Sequence, residues 1–106
     1  MKIITLCGST KFKETFEEVT RKLTLRGYVV LGVGLYIHAD NESLHPYTKQ
    51  MLDVIHLRKI LLSDAIYVIN VDGYIGNSTK FEMEFANQLG KKIYYLERMT
   101  NKAATC

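Results

Sequence analysis

At 106 residues, with 47% hydrophobic and 24% charged side chains, the chain has material for one hydrophobic core and none for a second domain. The net charge of +3 comes from lysines and arginines interspersed with glutamates, which argues against a nucleic-acid polymer as partner, and two cysteines supply neither a disulfide framework nor a metal quartet. Met1 leads into Lys2-Ile3-Ile4-Thr5-Leu6, too short an apolar run for a signal peptide or a membrane span, so the expectation is a cytoplasmic protein with no membrane partner, small enough to gain from assembling into a homo-oligomer.

Residues 2–7 are β-branched and apolar and predict a first strand, with Cys7 at its end as a reduced, buried small side chain. The loop Cys7-Gly8-Ser9-Thr10-Lys11 opens a helix in which Phe12, Phe16, Val19 and Leu23 form an inward stripe. Glu17 to Arg21 and Glu18 to Lys22 are favourable four-residue pairs on its outer face, and Gly27 caps its end. Residues 28–34 predict a second strand. A polar, aromatic loop follows to residue 45, and a second helix starts near Pro46, a residue suited to a first helical turn. That helix carries Met51, Leu52, Ile55, Ile60 and Leu62 up to Ser63. The run Ala65-Ile66-Tyr67-Val68-Ile69-Asn70-Val71 is apolar almost without a break, the mark of a parallel strand covered on both faces. A third helix ends at Gly90, and residues 92–96 predict a fourth strand. The tail, residues 99–106, has no apolar period and reads as mobile.

Alternation of strands and helices implies right-handed crossovers and an α/β fold: a doubly wound, flavodoxin-like parallel sheet of four to five strands with helices on both faces. Ligands in such sheets bind outside the carboxyl ends of the strands, so the loops at 7–11, 34–46 and 71–79 are where function is expected. In the first, Ser9 or Thr10 caps the following helix with Glu14 in its first turn, and free N–H groups with a nearby Lys11 suit an anion. A single glycine there matches neither a dinucleotide fingerprint nor a phosphate-binding P-loop. In the third, Thr79-Lys80-Phe81-Glu82 has the spacing of a capping box, in which Glu82 would only reach back to the helix start. Against that reading, Phe85, Ala86 and Leu89 follow Glu82 at three, four and seven positions, which puts its carboxylate on the inward stripe behind a loop rich in sugar-binding groups: Asp72, Tyr74, Asn77 and Ser78.

Cys7-Gly8-Ser9-x-Lys11, Ser63-Asp64-Ala65-Ile66, and Glu82-x-x-Phe85-Ala86 followed by Gly90-Lys91-Lys92-Ile93 together resemble the nucleoside 2-deoxyribosyltransferase-like family, over residues 3–97. The resemblance implies cleavage of the N-glycosidic bond of a 2′-deoxynucleoside or its 5′-monophosphate, with the deoxyribosyl group passed to water or to another base. It makes Glu82 the nucleophile, with the start of a helix favouring its ionised form. It places Cys7, Gly8, Ser9 and Lys11 near the substrate, as in the nucleotide-hydrolysing branch, with Ser78 adding a hydroxyl. His56 stands where the family carries an acidic substrate-contacting residue. Asp72 is a candidate for orienting Glu82 or protonating the leaving base, and Asp64, at the far edge of its strand, is read as structural.

In the second loop Tyr36 can stack on a base and His38 or Asp40 can read its edge, unless the segment is simply a mobile surface loop. His38, His45 and Asp40 match no standard metal spacing, and neither metal nor cofactor is expected. A different class of function remains open: a domain that binds a nucleotide or nucleotide-sugar without cleaving it, or an NAD-cleaving relative. Seven tyrosines, Tyr94-Tyr95 among them, also suit an interface in a dimer or larger assembly.

Overall fold

The computed structural model describes residues 2–98. Strands β1 (Ile3–Gly8), β2 (Val29–Leu31), β3 (Ala65–Ile69) and β4 (Lys92–Tyr95) form one all-parallel sheet in the order β2-β1-β3-β4. Helices α1 (Lys13–Leu25), α2 (Pro46–Leu62) and α3 (Asn77–Gln88) make the crossovers, and short 3-10 turns at Thr10–Phe12 and Val71–Gly73 follow β1 and β3. The fold is therefore the doubly wound α/β arrangement expected, with four strands. The tail expectation concerns residues outside those described.

Side-chain alternation along the two central strands builds a core on each face. Ile4, Leu6, Ala65 and Ile69 pack with Phe16, Val19 and Leu23 of α1. Cys7, Ile66 and Val68 point to the other face, where they meet Ile60 of α2 and Ala86 of α3. Ser9 Oγ accepts from Lys11 N at 3.3 Å and so caps the 3-10 turn Thr10–Phe12 rather than α1, whose N-cap Phe12 makes no side-chain cap bond, whereas Gly27 at φ 94° and Gly90 at φ 73° continue the chain past α1 and α3 as expected, in a conformation that L side chains rarely adopt. Asp64 is structural, its Oδ2 accepting from Ile3 N at 2.8 Å.

Three local expectations are corrected. The second strand pairs only over Val29–Leu31, because the chain leaves the edge of the sheet at Gly32, whose carbonyl is taken by Lys59 Nζ at 2.8 Å. On α2, Met51, Ile55 and Leu62 are exposed, and the inward residues are His56 and Ile60 with Leu52 half-buried. The physical reason is that the N-terminal half of α2 borders a pocket rather than the sheet, so Met51 and Ile55 have no core to enter there, and Lys49 and Asp53 reach the pocket while staying more than half exposed. On α3 the N-cap is Gly76, with no side-chain cap, so Thr79 lies inside the helix and is buried. The capping-box reading of Thr79 and Glu82 is thereby excluded, and Glu82 belongs to the second turn.

Two contacts fix α2 and the β3–α3 connection. The hydroxyls of Thr5 and Ser63 bond to each other and lie at 3.1 and 2.8 Å from the Lys59 carbonyl, which ties the end of α2 to β1. Buried Asn70 donates to the Glu97 carbonyl at 3.0 Å and accepts from Glu97 N at 2.8 Å, and Asp72 N donates to Glu97 Oε2 at 2.8 Å.

Candidate active site

A pocket of about 520 Å³ opens at the carboxyl edge of the sheet, where β1 and β3 lie side by side and their crossovers leave to opposite faces. Its walls come from Gly8, Ser9 and Thr10 after β1, from Val33 and residues 37–44 after β2, from Lys49, Leu52, Asp53 and His56 of α2, and from Tyr74, Gly76 and the first two turns of α3. Gly8 is required at the base of this wall. A Cβ there would lie 2.9 Å from the Ile69 carbonyl oxygen and 3.3 Å from the Phe16 ring, so only a bare backbone lets β1 and β3 approach this closely.

Three side chains converge on the floor. Cys7 Sγ is 3.6 Å from His56 Nε2, His56 Nε2 is 3.8 Å from Glu82 Oε1, and the three atoms all lie within 4.8 Å of one another. Cys7 is fully buried, His56 is 7% exposed and the Glu82 side chain 18%, so the carboxylate reaches the pocket while largely removed from water. Burial pushes the Glu82 carboxyl up to about 7, with the charge of Asp53 acting in the same direction and the Cys7 hydrogen bond and Lys49 against it. Burial, then the neighbouring Lys59, bring His56 down to about 4, so its ring is neutral near physiological pH. The Cys7 thiol is pushed well above its ordinary range by burial and by the Glu82 charge. The expectation that a helix start favours ionised Glu82 is thus corrected: desolvation outweighs the helix dipole one turn further in.

Above this floor the α3 N-terminus presents its first N–H groups with no side-chain cap, next to the Ser78 and Thr79 hydroxyls. Together with Ser9 and Thr10 they make a polar rim suited to an anion. Thr10 Oγ1 is bonded to His38, accepting from its backbone N at 3.1 Å and meeting Nδ1 at 3.1 Å, which draws the 33–44 loop over the mouth.

Of the residues singled out in the sequence, Gly8, Ser9, His38, His56, Tyr74, Asn77, Ser78 and Glu82 line the pocket, and Cys7 lies beneath it against His56. Lys11, Tyr36 and Asp72 do not line it. Lys11 Nζ sits 4.0 Å from the centroid of the Tyr74 ring, Tyr36 packs edge-on against Phe16 at 5.7 Å, and Asp72 is exposed at φ 54° in the turn held by Glu97. Lys49 and Asp53 were missed, although Lys49, Asp53 and His56 recur at helical spacing and mark one polar face of α2. They form an ion pair at 3.4 Å.

No protein-family model matches the chain, and no curated protein matches it. Among the described residues no helix is long and apolar enough to cross a membrane. Fold and site define an α/β domain with a pocket at the switch point of a parallel sheet and a carboxylate on its floor.

Proposed function

We propose that the chain is an N-glycosidase acting on a 2′-deoxynucleoside or its 5′-monophosphate, with Glu82 as nucleophile. The observation that carries this reading is the position of Glu82, a mostly buried carboxylate on the floor of a pocket whose rim is built from hydroxyls and backbone N–H groups. The resemblance noted in the sequence supplies the substrate class.

In the step that follows, a carboxylate oxygen of Glu82 bonds to the anomeric carbon as the bond from that carbon to the base nitrogen breaks. The base leaves with the electron pair and takes a proton from water at the open mouth. Water or an acceptor base then attacks the same carbon, loses a proton to solvent, and frees Glu82. A carboxyl that titrates near 7 is ionised in a useful fraction at neutral pH, and its desolvation makes it more nucleophilic than an exposed carboxylate. Asp53, the pocket carboxylate on α2, accepts from a sugar hydroxyl in place of the acidic residue that His56 replaces. Ser9, Ser78 and the α3 N-terminus hold the 5′ end, where a phosphate gains most from the free N–H groups.

The test is incubation of wild type and Glu82→Gln with deoxynucleosides and their 5′-monophosphates, with and without an acceptor base, following free base by chromatography. Base release that is lost in Glu82→Gln supports the proposal, and acceptor dependence separates transferase from hydrolase. No release from any substrate, with a nucleotide raising the melting temperature of both proteins equally, overturns it in favour of a binding domain.

A further inference from the structure

We propose that Cys7, His56 and Glu82 form a binding site for one divalent ion of the Zn²⁺ class, with its fourth position open to the pocket. Tetrahedral zinc with bonds of about 2.0–2.3 Å holds its ligand atoms roughly 3.3–3.8 Å apart. Sulfur to imidazole nitrogen at 3.6 Å is at that spacing, while imidazole nitrogen to carboxylate oxygen at 3.8 Å and the third pair, within 4.8 Å, have to draw in by up to about an ångström around the ion. The three atoms come from β1, α2 and α3, each fixed by its own packing, so the cluster is not the accident of one flexible loop.

The donor set selects the ion. Thiolate and imidazole bind Zn²⁺ or Co²⁺ far better than Mg²⁺ or Ca²⁺, which require oxygen shells. Three protein ligands and one open position are the arrangement of zinc sites that bind water or an exogenous oxygen. The access route exists, since His56 and Glu82 both line the pocket. His56 points Nε2 at the other two ligands, so an ion bound there takes the place of the hydrogen bond between Nε2 and the Cys7 sulfur and leaves the ring proton on the buried Nδ1. On binding, the Cys7 thiol releases its proton to solvent and the sulfur donates an electron pair to the ion, whose own charge favours that loss. A Glu82 oxygen held by the ion is withdrawn from attack on a sugar, so the ion acts as an inhibitor of the reaction proposed above. The site itself does not depend on that reaction.

Protein stripped with a chelator is titrated with Zn²⁺ against a chromophoric competitor, and a second sample is loaded with Co²⁺. The expected result is one ion per chain, with the cobalt spectrum of a four-coordinate site that includes a thiolate charge-transfer band. Cys7→Ser should remove that band, and His56→Gln should weaken zinc binding by about 10-fold or more. An octahedral cobalt spectrum with no thiolate band in wild type overturns the proposal without recourse to any variant. So does zinc binding that survives Cys7→Ser and is lost in His38→Gln, which would place the ion on the rim. Where base release is measurable, full activity in the zinc-loaded protein would show that Glu82 is not a ligand and would equally overturn it.

Discussion

His56 Nε2 and Glu82 Oε1 lie 3.8 Å apart on the pocket floor, and burial drives the two groups toward neutrality from opposite directions. Glu82 binds its proton more tightly in the folded protein than in the unfolded chain, so its contribution to stability falls as pH rises from about 4.5 to about 7. His56 binds its proton less tightly when folded, so its contribution falls as pH drops from 6.5 to about 4. The two slopes oppose each other over the shared window.

Removing one partner should uncover the slope of the other. In chelator-treated protein, Glu82→Gln is expected to be more stable than wild type by about 2–3 kcal/mol at about pH 8, with the advantage gone near pH 4.5. Urea unfolding at the two pH values measures it. A variant no more stable at the higher pH would mean that the Glu82 carboxylate is not desolvated.

Turnover should carry the same titration. If Glu82 acts ionised as proposed, kcat/KM of the chelator-treated protein rises with pH and levels off above about 7. Glu82→Gln should lower kcat by about 10³-fold or more, as loss of a nucleophile does. A flat profile between about pH 6 and pH 8 would rule out the carboxylate as the attacking group.

The two charges of α2 should move that inflection in opposite directions. Asp53 raises the Glu82 pKa and Lys49 lowers it, so Asp53→Asn shifts the profile toward acid and Lys49→Met toward base, each by a few tenths of a pH unit. NMR titration of the Glu82 carboxyl carbon reads the same shifts without substrate.

Gly8→Ala is expected to cost about 2–4 kcal/mol, because the added methyl meets backbone at Ile69 rather than the end of a flexible side chain. Urea denaturation tests this. A loss below about 0.5 kcal/mol would show that β1 can move away from β3.

Asn70→Ala removes both bonds that buried Asn70 makes with the Glu97 backbone and should cost about 2 kcal/mol. Hydrogen exchange should quicken in the 70–76 connection while α1 keeps its protection. Uniform loss of protection would instead indicate that the clasp supports the whole fold.

The strands and α1 were legible because their periodicity is set by burial on a sheet, as Phe16, Val19 and Leu23 illustrate. The start of α3 stayed open between two readings because the Thr79–Glu82 spacing satisfies a capping box on paper, whereas the helix begins after an N-cap at Gly76. Lys49 and Asp53 escaped notice because the apolar residues of α2 drew the inward face to the wrong side; along the edge of an open pocket the helix keeps its polar side chains solvated. Asp72 and Tyr36 were drawn in by residue type, and the turn at Glu97 and the Phe16 ring hold them elsewhere.

The close approach of Gly8 to Ile69 has a consequence for how such a protein can diversify. With Gly8 at the base of one wall, where an added methyl meets the Ile69 backbone, substitution at that point cannot retune what is bound. Variation is left to the wall contributed by residues 33–44 and the exposed half of α2, so descendants of this chain would change ligand preference by exchanging that wall while inheriting the floor intact.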